Sequence, residues 1–148
     1  MKTIFTELAA LEAQAKAGVL CIITASQGST PRGRGSKMLV YPDGSFIGTV
    51  GGGEVENRVI QEALQALRDG QPRNLEYAMS APERGDPGVC GGQLEVYVEP
   101  ILPKPTLALI GAGHVGKAVA HLAHWLGFRV VVNDDRPDFC TPAVVPDA

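Results

Sequence analysis

The stretch GTVGGGEVE, residues 48–56, decides how this chain of 148 residues is organised. Four of its nine positions are glycine. An ordered glycine costs about 0.5 to 1 kcal/mol relative to alanine, so the run requires a left-handed turn or the close approach of another group. Apolar residues with strand spacing precede the run, and apolar residues with helical spacing follow it. The stretch therefore predicts a tight strand-to-helix connection.

The segments on either side of this connection have clear periodicities. KMLVY and SFIGTV flank PDG and predict a β-hairpin over residues 37–50. Beyond the glycines, helical spacing continues from Glu54 to Gly70, a residue suited to end a helix. Upstream, residues 3–17 predict an amphipathic helix, and VLCIITA (19–25) predicts a strand that is buried on both faces.

The second half of the chain indicates a change of domain. NLEYAM and QLEVYVEP predict two strands, and PILPKP (100–105) predicts a stiff linker because three of its six residues are proline. TLALI, a helix over 113–126 and FRVVVND then form one βαβ unit. The helix residues expected to face inward are Val115, Val119, Leu122 and Leu126. We predict a mixed α/β domain at 1–103, followed by an incomplete Rossmann-like βαβ unit at 104–148.

Composition excludes several classes of function. A net charge of −3 and a pI near 5.6 offer no electrostatic field for nucleic acid. No apolar run is long enough to span a membrane, and Glu7 and Glu12 interrupt the N-terminal apolar pattern, so we expect a cytoplasmic protein. The three cysteines form no CxxC pair and predict neither a disulfide framework nor a structural zinc site.

The stretch GAGHVG (111–116) is typical of a dinucleotide-binding loop, because it follows a predicted strand and begins a helix. Asp134, which follows the next strand, is then placed to accept a ribose hydroxyl from NAD, and the nearby Arg136 leaves NADP open. The alternative is that these glycines serve packing alone. The predicted nucleotide-binding residues are Gly111, Gly113, His114, Gly116 and Asp134. A single βαβ unit buries too little surface to be stable by itself. We therefore expect either that the chain is a fragment or a truncated paralogue, or that the unit docks on the first domain or on another subunit of a homo-oligomer.

Four separated motifs occur in a fixed order: GSTPRGRGSKMLV, DGSFIGTVGGGEVE, CGGQLEVYVEP and GAGHVGKAVAHLAHWLGFRVVVNDDRPDF. Together they resemble the XdhC/CoxI family of xanthine dehydrogenase accessory proteins, over residues 17–139. The resemblance implies a maturation factor that binds the molybdenum cofactor, protects it during sulfuration and delivers it to an apo-molybdoenzyme of the xanthine dehydrogenase or carbon monoxide dehydrogenase type. It also implies a cysteine desulfurase as a partner. The chain departs from the family pattern by ending soon after DDRPDF.

The implied ligand is a pterin that carries a phosphate and a dithiolene-bound molybdenum atom. The glycine run can present amides to it, and Glu56, or else Glu54, can accept hydrogen bonds from the pterin. Carboxylates beside a helix start disfavour phosphate, so we assign the phosphate to nearby cations. The predicted residues are Ser29, Thr30, Arg32, Arg34, Lys37, Gly51, Gly52, Gly53, Glu56, Cys90, Gly91 and Gly92. The alternatives are a solvated loop for the cations, a turn for the hydroxyls, and a connection without ligand for the glycines.

Cys90 is the predicted metal ligand, because a thiolate is a soft donor suited to molybdenum or to sulfur transfer. The alternative is a small residue packed beneath a loop. Cys21 is expected in the core, and Cys140 is expected to have no role. His121 and His124 share a helix face without a third metal ligand, so we expect them to be partly exposed.

Two other functions compete with a cofactor chaperone that performs no turnover. A nicotinamide-dependent oxidoreductase is consistent with the GAGHVG loop but has no assignable proton donor. A shortened chain that only dimerises, or competes with a longer relative, is the third hypothesis. No catalytic residue is assigned.

Overall fold

The computed structural model describes residues 3–79 and 91–148 and shows a mixed α/β chain. The chain divides into two compact units, Met1–Pro103 and Lys104–Ala148, called unit 1 and unit 2 below. The elements in chain order are α1 (Ile4–Ala13), β1 (Gly18–Gln27), β2 (Lys37–Val40), β3 (Phe46–Gly48), α2 (Gly53–Asp69), β4 (Arg73–Ala78), β5 (Gln93–Ile101), β6 (Thr106–Ile110), α3 (His114–Trp125), β7 (Arg129–Asn133) and a 3-10 turn (Pro137–Phe139).

The five strands of unit 1 form an antiparallel sheet in the order β3-β2-β1-β5-β4. The predicted hairpin is confirmed, with Met38 opposite Gly48 in the β2–β3 register. In β1, Cys21 and its inward-facing neighbours are fully buried, whereas Leu20 and Ile22 on the other face are half-buried. The strand is therefore confirmed, but only one of its two faces is fully buried, as alternation across an antiparallel sheet allows.

Helix α2 covers the inward face of this sheet. Its buried residues Val55, Val59, Ala63 and Ala66 recur at helical spacing and pack against the buried residues of β1, β2 and β5. Gly70 ends the helix in the left-handed conformation, at a φ of 70°, as predicted. Since α2 begins immediately after the glycine run, its packing anchors that run to the sheet.

Helix α1 is shorter than the predicted 3–17. It ends at Ala13, because the chain turns through Ala15 at a φ of 50° to enter β1. Leu11 packs against Gly18 so closely that a Cβ at Gly18 would lie 2.6 Å from the Leu11 Cδ1 atom. The glycine expected to end the helix therefore also admits a helix side chain against the sheet.

The predicted linker is shorter than 100–105. Pro100 and Ile101 belong to β5, where they lie opposite Val19 and Gly18 of β1. The pairing of β5 with β4 has already ended at Val98, so the missing N–H of Pro100 interrupts no bond to β4.

Unit 2 is a βαβ unit with two parallel strands, as the sequence predicts. Leu107 and Leu109 of β6 and Val132 of β7 lie half-buried around a core that contains Val130 and two alanines of α3. Within the unit, the other face of the strands is open, and Ile110 exposes 94% of its surface.

The predicted inward face of α3 is wrong. Val115, Val119, Leu122 and Leu126 are all exposed, Val115 by 78%, whereas Ala120 and Ala123 are buried. The reason is the close approach of α3 to the strands, since a Cβ at Gly116 would overlap the carbonyl oxygen of Gly111. Only small side chains fit between helix and strands, so the larger residues lie on the outer face.

None of the helices within residues 3–79 and 91–148 combines the length and hydropathy needed to cross a membrane.

Candidate functional site

The glycine run connects β3 to α2 through backbone conformations that residues with side chains rarely adopt. The φ angles are 78° at Gly48, 146° at Gly51, 81° at Gly52 and 59° at Gly53. Val50, between them, is fully buried and fixes the run to the core. Gly52 is the N-cap of α2 and makes no side-chain capping hydrogen bond. Among the described residues, the backbone N–H groups of the first turn therefore have no capping side chain as acceptor. Left-handed backbone therefore explains the clustering of glycine.

Thr49 ties the glycine run to the first turn of α2. Its hydroxyl donates to Glu56 Oε1 at 2.7 Å and accepts the N–H of Gly51 at 3.1 Å. Glu56 consequently folds back over the run, with its Oε2 atom 3.9 Å from where a Cβ on Gly52 would stand. Within residues 3–79 and 91–148, the Thr49 hydroxyl is the one hydrogen-bond partner of the Glu56 carboxylate, so Oε2 can still accept hydrogen bonds.

Glu54 points elsewhere. Its Oε1 atom accepts the Nε–H of Arg58 at 2.9 Å, one helical turn further along α2, and both side chains are exposed. Of the two carboxylates in this first turn, Glu56 is the one placed over the glycine run.

The loop that follows β1 lies directly against the run. The Cγ atom of Pro31 is 2.8 Å from where a Cβ on Gly51 would stand, so a side chain at Gly51 would displace the loop. Arg32 and Arg34 follow Pro31 and are exposed, and neither guanidinium has a partner among the residues described. The Thr30 hydroxyl donates to the carbonyl of Arg32 at 3.0 Å, which closes a turn.

The other end of this loop contacts the start of β5. A Cβ on Gly92 would overlap the Ser29 carbonyl oxygen, and a Cβ on Gly28 would lie 3.2 Å from Gly91 O. Gly91 and Gly92 also pair with Met79, through hydrogen bonds of 2.7 and 3.0 Å. The structure therefore brings three predicted segments together, with the arginine loop between the glycine run and Gly91–Gly92.

Lys37 lies apart from this group. Its Nζ donates to the Gly35 carbonyl at 2.9 Å and stands 5.9 Å from the Phe5 ring centroid of α1. Lys37 shares a sheet face with Leu39, and the next residue, Met38, faces α2. Its ammonium group is therefore on the α1 face, away from the start of α2.

A cavity of about 330 Å³ adjoins the Gly28–Gly92 contact. It lies where β1 ends and β5 begins, and two of its lining residues, Glu76 and Glu95, face each other across β4 and β5. Its lining includes neither the glycine run nor the arginines. Sequence reasoning missed this carboxylate pair, because cross-strand register is not visible in the sequence.

The structure describes two of the three cysteines, Cys21 and Cys140. Cys90 lies outside the described residues, and its role as a metal ligand stays a prediction. Cys21 is in the core, as expected, and burial raises its pKa to about 12, which keeps the thiol protonated. Cys140 is exposed.

The three glycines of the unit 2 loop have different roles. Gly111 adopts a φ of 108°, Gly113 is the N-cap of α3, and Gly116 packs closely, since a Cβ there would overlap the Gly111 carbonyl oxygen. His114 is exposed at the first position of α3. His121 is exposed and contacts Asp147 at 3.1 Å, and His124 is exposed, so both histidines lie as predicted. Among residues 3–79 and 91–148, no three His, Cys, Asp or Glu side chains are grouped as metal ligands.

Asp134 bridges this loop and the residues after β7. Its Oδ2 atom accepts the Ala112 N–H at 2.7 Å and an Arg136 Nη2–H at 3.0 Å. Its Oδ1 atom accepts the Nε–H and backbone N–H of Arg136 at 2.8 and 3.0 Å. The Arg136 guanidinium, and then the Ala112 amide, hold the pKa of this carboxyl well below its usual range. The side chain exposes 2% of its surface.

Sequence reasoning also missed Thr49. Its neighbours in sequence indicate only a strand end, and its distance of seven residues from Glu56 matches no capping pattern. The contact exists because the left-handed glycines fold the chain back between the two residues.

Two family descriptions match separate parts of the chain. The XdhC and CoxI family matches residues 11–78, and the XdhC Rossmann domain matches residues 107–148. In the solved structures, a xanthine dehydrogenase from Bacillus halodurans superposes on 99% of this chain and 67% of its own, with a TM-score of 0.58 and 21% identity. At that identity the likeness concerns the fold.

Curated relatives from two bacteria align with parts of this chain. YqeB of Escherichia coli is 43% identical over 144 residues. A probable xanthine dehydrogenase subunit of Bacillus subtilis is 43% identical over 53 residues. The molybdenum cofactor insertion chaperone PaoD of Escherichia coli is 31% identical over 96 residues. The alignments cover 97%, 36% and 64% of this chain. They cover only 26%, 16% and 30% of the relatives, so this chain spans a minor part of each.

Proposed function

Since the chain belongs to the XdhC and CoxI family, we propose that it binds the molybdenum cofactor in unit 1 and delivers it to an apo-molybdoenzyme of the xanthine dehydrogenase or carbon monoxide dehydrogenase type. The cofactor is cargo in this role, and no turnover is required. The name of the relative PaoD, a molybdenum cofactor insertion chaperone, supports the same assignment.

The observation that carries the proposal is the position of Glu56 over the glycine run. Its Oε1 atom is held by Thr49, while Oε2 faces Gly52, where no side chain occupies the space. A pterin presents an amino group and a ring N–H side by side, and a carboxylate accepts such paired donors. Because glycines line the approach, a flat ring can come close to the backbone.

The arginine loop supplies the opposite charge. Pro31 packs on Gly51, so the exposed Arg32 and Arg34 are attached to the same surface as Glu56. A guanidinium binds phosphate oxygens in a bidentate manner, and separate binding of pterin and phosphate avoids the repulsion between Glu56 and an anion. Lys37 is not part of this proposal, because it is engaged on the α1 face.

Retention of the cofactor tests the site. The purified chain is mixed with molybdenum cofactor released from a molybdoenzyme and passed through gel filtration, and the pterin is measured by fluorescence after oxidation. We expect Glu56→Gln to reduce retained pterin at least tenfold, because the amide places an N–H where an acceptor is needed. The matched control is Glu54→Gln, in the same helical turn, which we expect to retain the wild-type amount. Equal retention by wild type and both folded variants contradicts the site.

Delivery tests the remainder of the function. The loaded chain is added to an apo-enzyme of the xanthine dehydrogenase type, and the activity is compared with that obtained from the same amount of free cofactor. We expect greater activation by the wild type, and less activation by a folded Arg32→Ala, Arg34→Ala double variant, because the phosphate contact is lost. Activation no better than with free cofactor contradicts the chaperone role.

We also propose a cysteine desulfurase as a second partner and self-association of the chain. The desulfurase follows from the family resemblance, in which the cofactor is sulfurated before transfer, and self-association follows from the small surface that a single βαβ unit buries. Native mass spectrometry of the purified chain, alone and mixed with a desulfurase, reports both associations. A monomer that forms no complex with the desulfurase contradicts them.

A further inference from the structure

Unit 2 carries the glycine pattern of a dinucleotide-binding loop, and a nicotinamide adenine dinucleotide is the cofactor that such a fold implies. In that arrangement the acidic residue after the second strand accepts hydroxyls of the adenosine ribose. Asp134 occupies this position, directly after β7. Whether the unit fits a dinucleotide therefore depends on what the Asp134 carboxylate already binds.

The carboxylate of Asp134 has no remaining capacity to accept hydrogen bonds. An ionised carboxylate offers about four lone-pair sites. Asp134 accepts four hydrogen bonds, one from the Ala112 amide and three from Arg136, at distances from 2.7 to 3.0 Å. With 2% of the side chain exposed, a ribose hydroxyl finds neither a free lone pair nor a path to one.

Arg136 is held in this pairing from its other side. Its guanidinium lies 3.7 Å from the centroid of the Phe139 ring, which belongs to the 3-10 turn that begins at Pro137. A guanidinium that stacks on a ring and binds a carboxylate at two atoms has a fixed orientation. Ribose recognition by Asp134 therefore requires breaking both contacts.

A 2′-phosphate fits no better. Two carboxylates, Asp134 and Asp135, stand beside the single Arg136 guanidinium, so the local charge is negative. The Asp135 side chain is 95% exposed and faces the solvent from which a phosphate would approach. The pairing that blocks NAD thus also disfavours NADP.

We propose that Asp134 and Arg136 form an internal strap that closes the ribose position of unit 2, so that the unit excludes nicotinamide dinucleotides although it carries their glycine pattern. The strap takes the place of the ligand. The Asp134 carboxylate accepts the hydrogen bond of the Ala112 amide that a bound anion would otherwise accept. The strap also joins the loop before α3 to the residues after β7. Gly116 then serves the close packing of α3 against the end of β6, and Gly111 supplies a left-handed turn. This inference concerns unit 2 and is independent of the cofactor site in unit 1.

Titration with NADH, NADPH and ADP-ribose tests the strap. Trp125, the single tryptophan of the sequence, lies in unit 2, so energy transfer from its fluorescence to NADH reports binding there. We expect no saturable transfer for the wild type. Arg136→Met keeps a long side chain against Phe139 and frees acceptor positions on Asp134. We expect at least a tenfold gain in affinity for NADH and ADP-ribose, and no gain for NADPH.

A double variant and a hydrogen-exchange measurement test the same proposal independently of the Arg136→Met result. Arg136→Met combined with Asp134→Asn removes the freed acceptor, and we expect it to abolish the gain. Hydrogen exchange of the wild type with and without ADP-ribose needs no variant, and we expect no protection of the peptides that cover 107–134. Saturable binding of NADH by the wild type, protection of those peptides, or unchanged affinity in a folded Arg136→Met protein overturns the proposal.

Discussion

Each of the two glycine loops precedes a helix and lies beside a carboxylate, yet the two carboxylates differ in how many hydrogen bonds they already accept. Among the described residues, Glu56 accepts one hydrogen bond, from Thr49, and its second oxygen faces the glycines. The Asp134 carboxylate accepts four, and its side chain is almost entirely covered. A glycine-rich turn ahead of a helix therefore does not by itself indicate a ligand. What distinguishes the loops is the hydrogen-bonding capacity left on the acid.

The glycines of the two loops also differ in what they accommodate. At Gly51 and Gly52 the backbone is left-handed, and the nearest atoms to an added Cβ belong to side chains, Pro31 and Glu56. At Gly116 the nearest atom is a backbone carbonyl of the same loop. Side chains can rearrange around a ligand, whereas that carbonyl cannot move without disrupting the turn. We infer that Gly51 and Gly52 are suited to the approach of a ligand, whereas Gly116 is suited to packing.

The largest expected effect is that of Gly116→Ala. The added Cβ overlaps the Gly111 carbonyl, so we expect unit 2 to lose about 3 kcal/mol of stability. The matched control is Gly113→Ala, where nothing lies within 4 Å and φ is −71°. We expect a smaller loss of about 0.5 to 1 kcal/mol, because Gly113 is the N-cap of α3 and alanine is a poorer N-cap. Urea unfolding followed by hydrogen exchange of unit 2 peptides measures both. If the two variants are equally stable, the packing role of the second loop is wrong.

Next in size is Gly51→Ala, which changes both the fold and the site of unit 1. A φ of 146° is unfavourable for alanine, and its Cβ displaces Pro31 and the arginines behind it. We expect a loss of about 2 kcal/mol and of pterin retention. Gly53→Ala, at a φ of 59° with open space around it, is expected to cost about 1 kcal/mol and to retain more pterin than Gly51→Ala, because its Cβ does not displace Pro31. Full retention by a folded Gly51→Ala protein shows that the arginine loop takes no part in binding.

A smaller effect is expected for Thr49→Val, which keeps the shape of the side chain and removes its hydroxyl. Glu56 loses its donor and Gly51 N–H loses its acceptor, so we expect a loss of about 1 kcal/mol. Pterin retention is expected to fall, because Glu56 is no longer held over the glycines. Thr49→Ser keeps the hydroxyl, and we expect it to restore retention. The positioning role of Thr49 fails if valine and serine behave alike in the retention assay.

The smallest effect is that of Glu54→Gln on stability. Its ion pair with Arg58 is exposed and lies within one helix, so its loss is expected to cost less than about 0.5 kcal/mol. The same variant is the control in the retention assay, so one protein checks both statements. A loss of retention here, with Glu56→Gln unaffected, reverses the roles assigned to the two acids.

Elements that depend on local pattern are predicted well from the sequence. The hairpin, α2 with Gly70 at its end, and the βαβ order of unit 2 all occur where periodicity and turn residues place them. The prediction fails for the face of α3 that packs inward, because apolar spacing alone does not reveal how closely Gly116 brings helix and strand together. It also fails at Pro100, where strand pairing outweighs the preference of proline for a linker.

For the candidate site, the sequence indicates which segments take part but not the direction or the hydrogen-bond partners of their side chains. It points to the glycine run by the clustering of glycine, and to the arginine loop and Gly91–Gly92 through the ligand that the family resemblance implies. It cannot indicate that Thr49 holds Glu56, nor that Lys37 faces α1, because both depend on the direction of side chains after the chain has folded.

What the sequence alone determined is the order of the main elements and the glycine run that requires left-handed backbone, since both follow from residue-by-residue preferences. Only the tertiary structure decided which carboxylate is still able to accept a ligand. Hydrogen bonds such as those from Ala112 to Asp134 join residues 22 positions apart, and a side chain has few lone pairs to share. The capacity left for binding is therefore a property of the assembled contacts and not of any one segment.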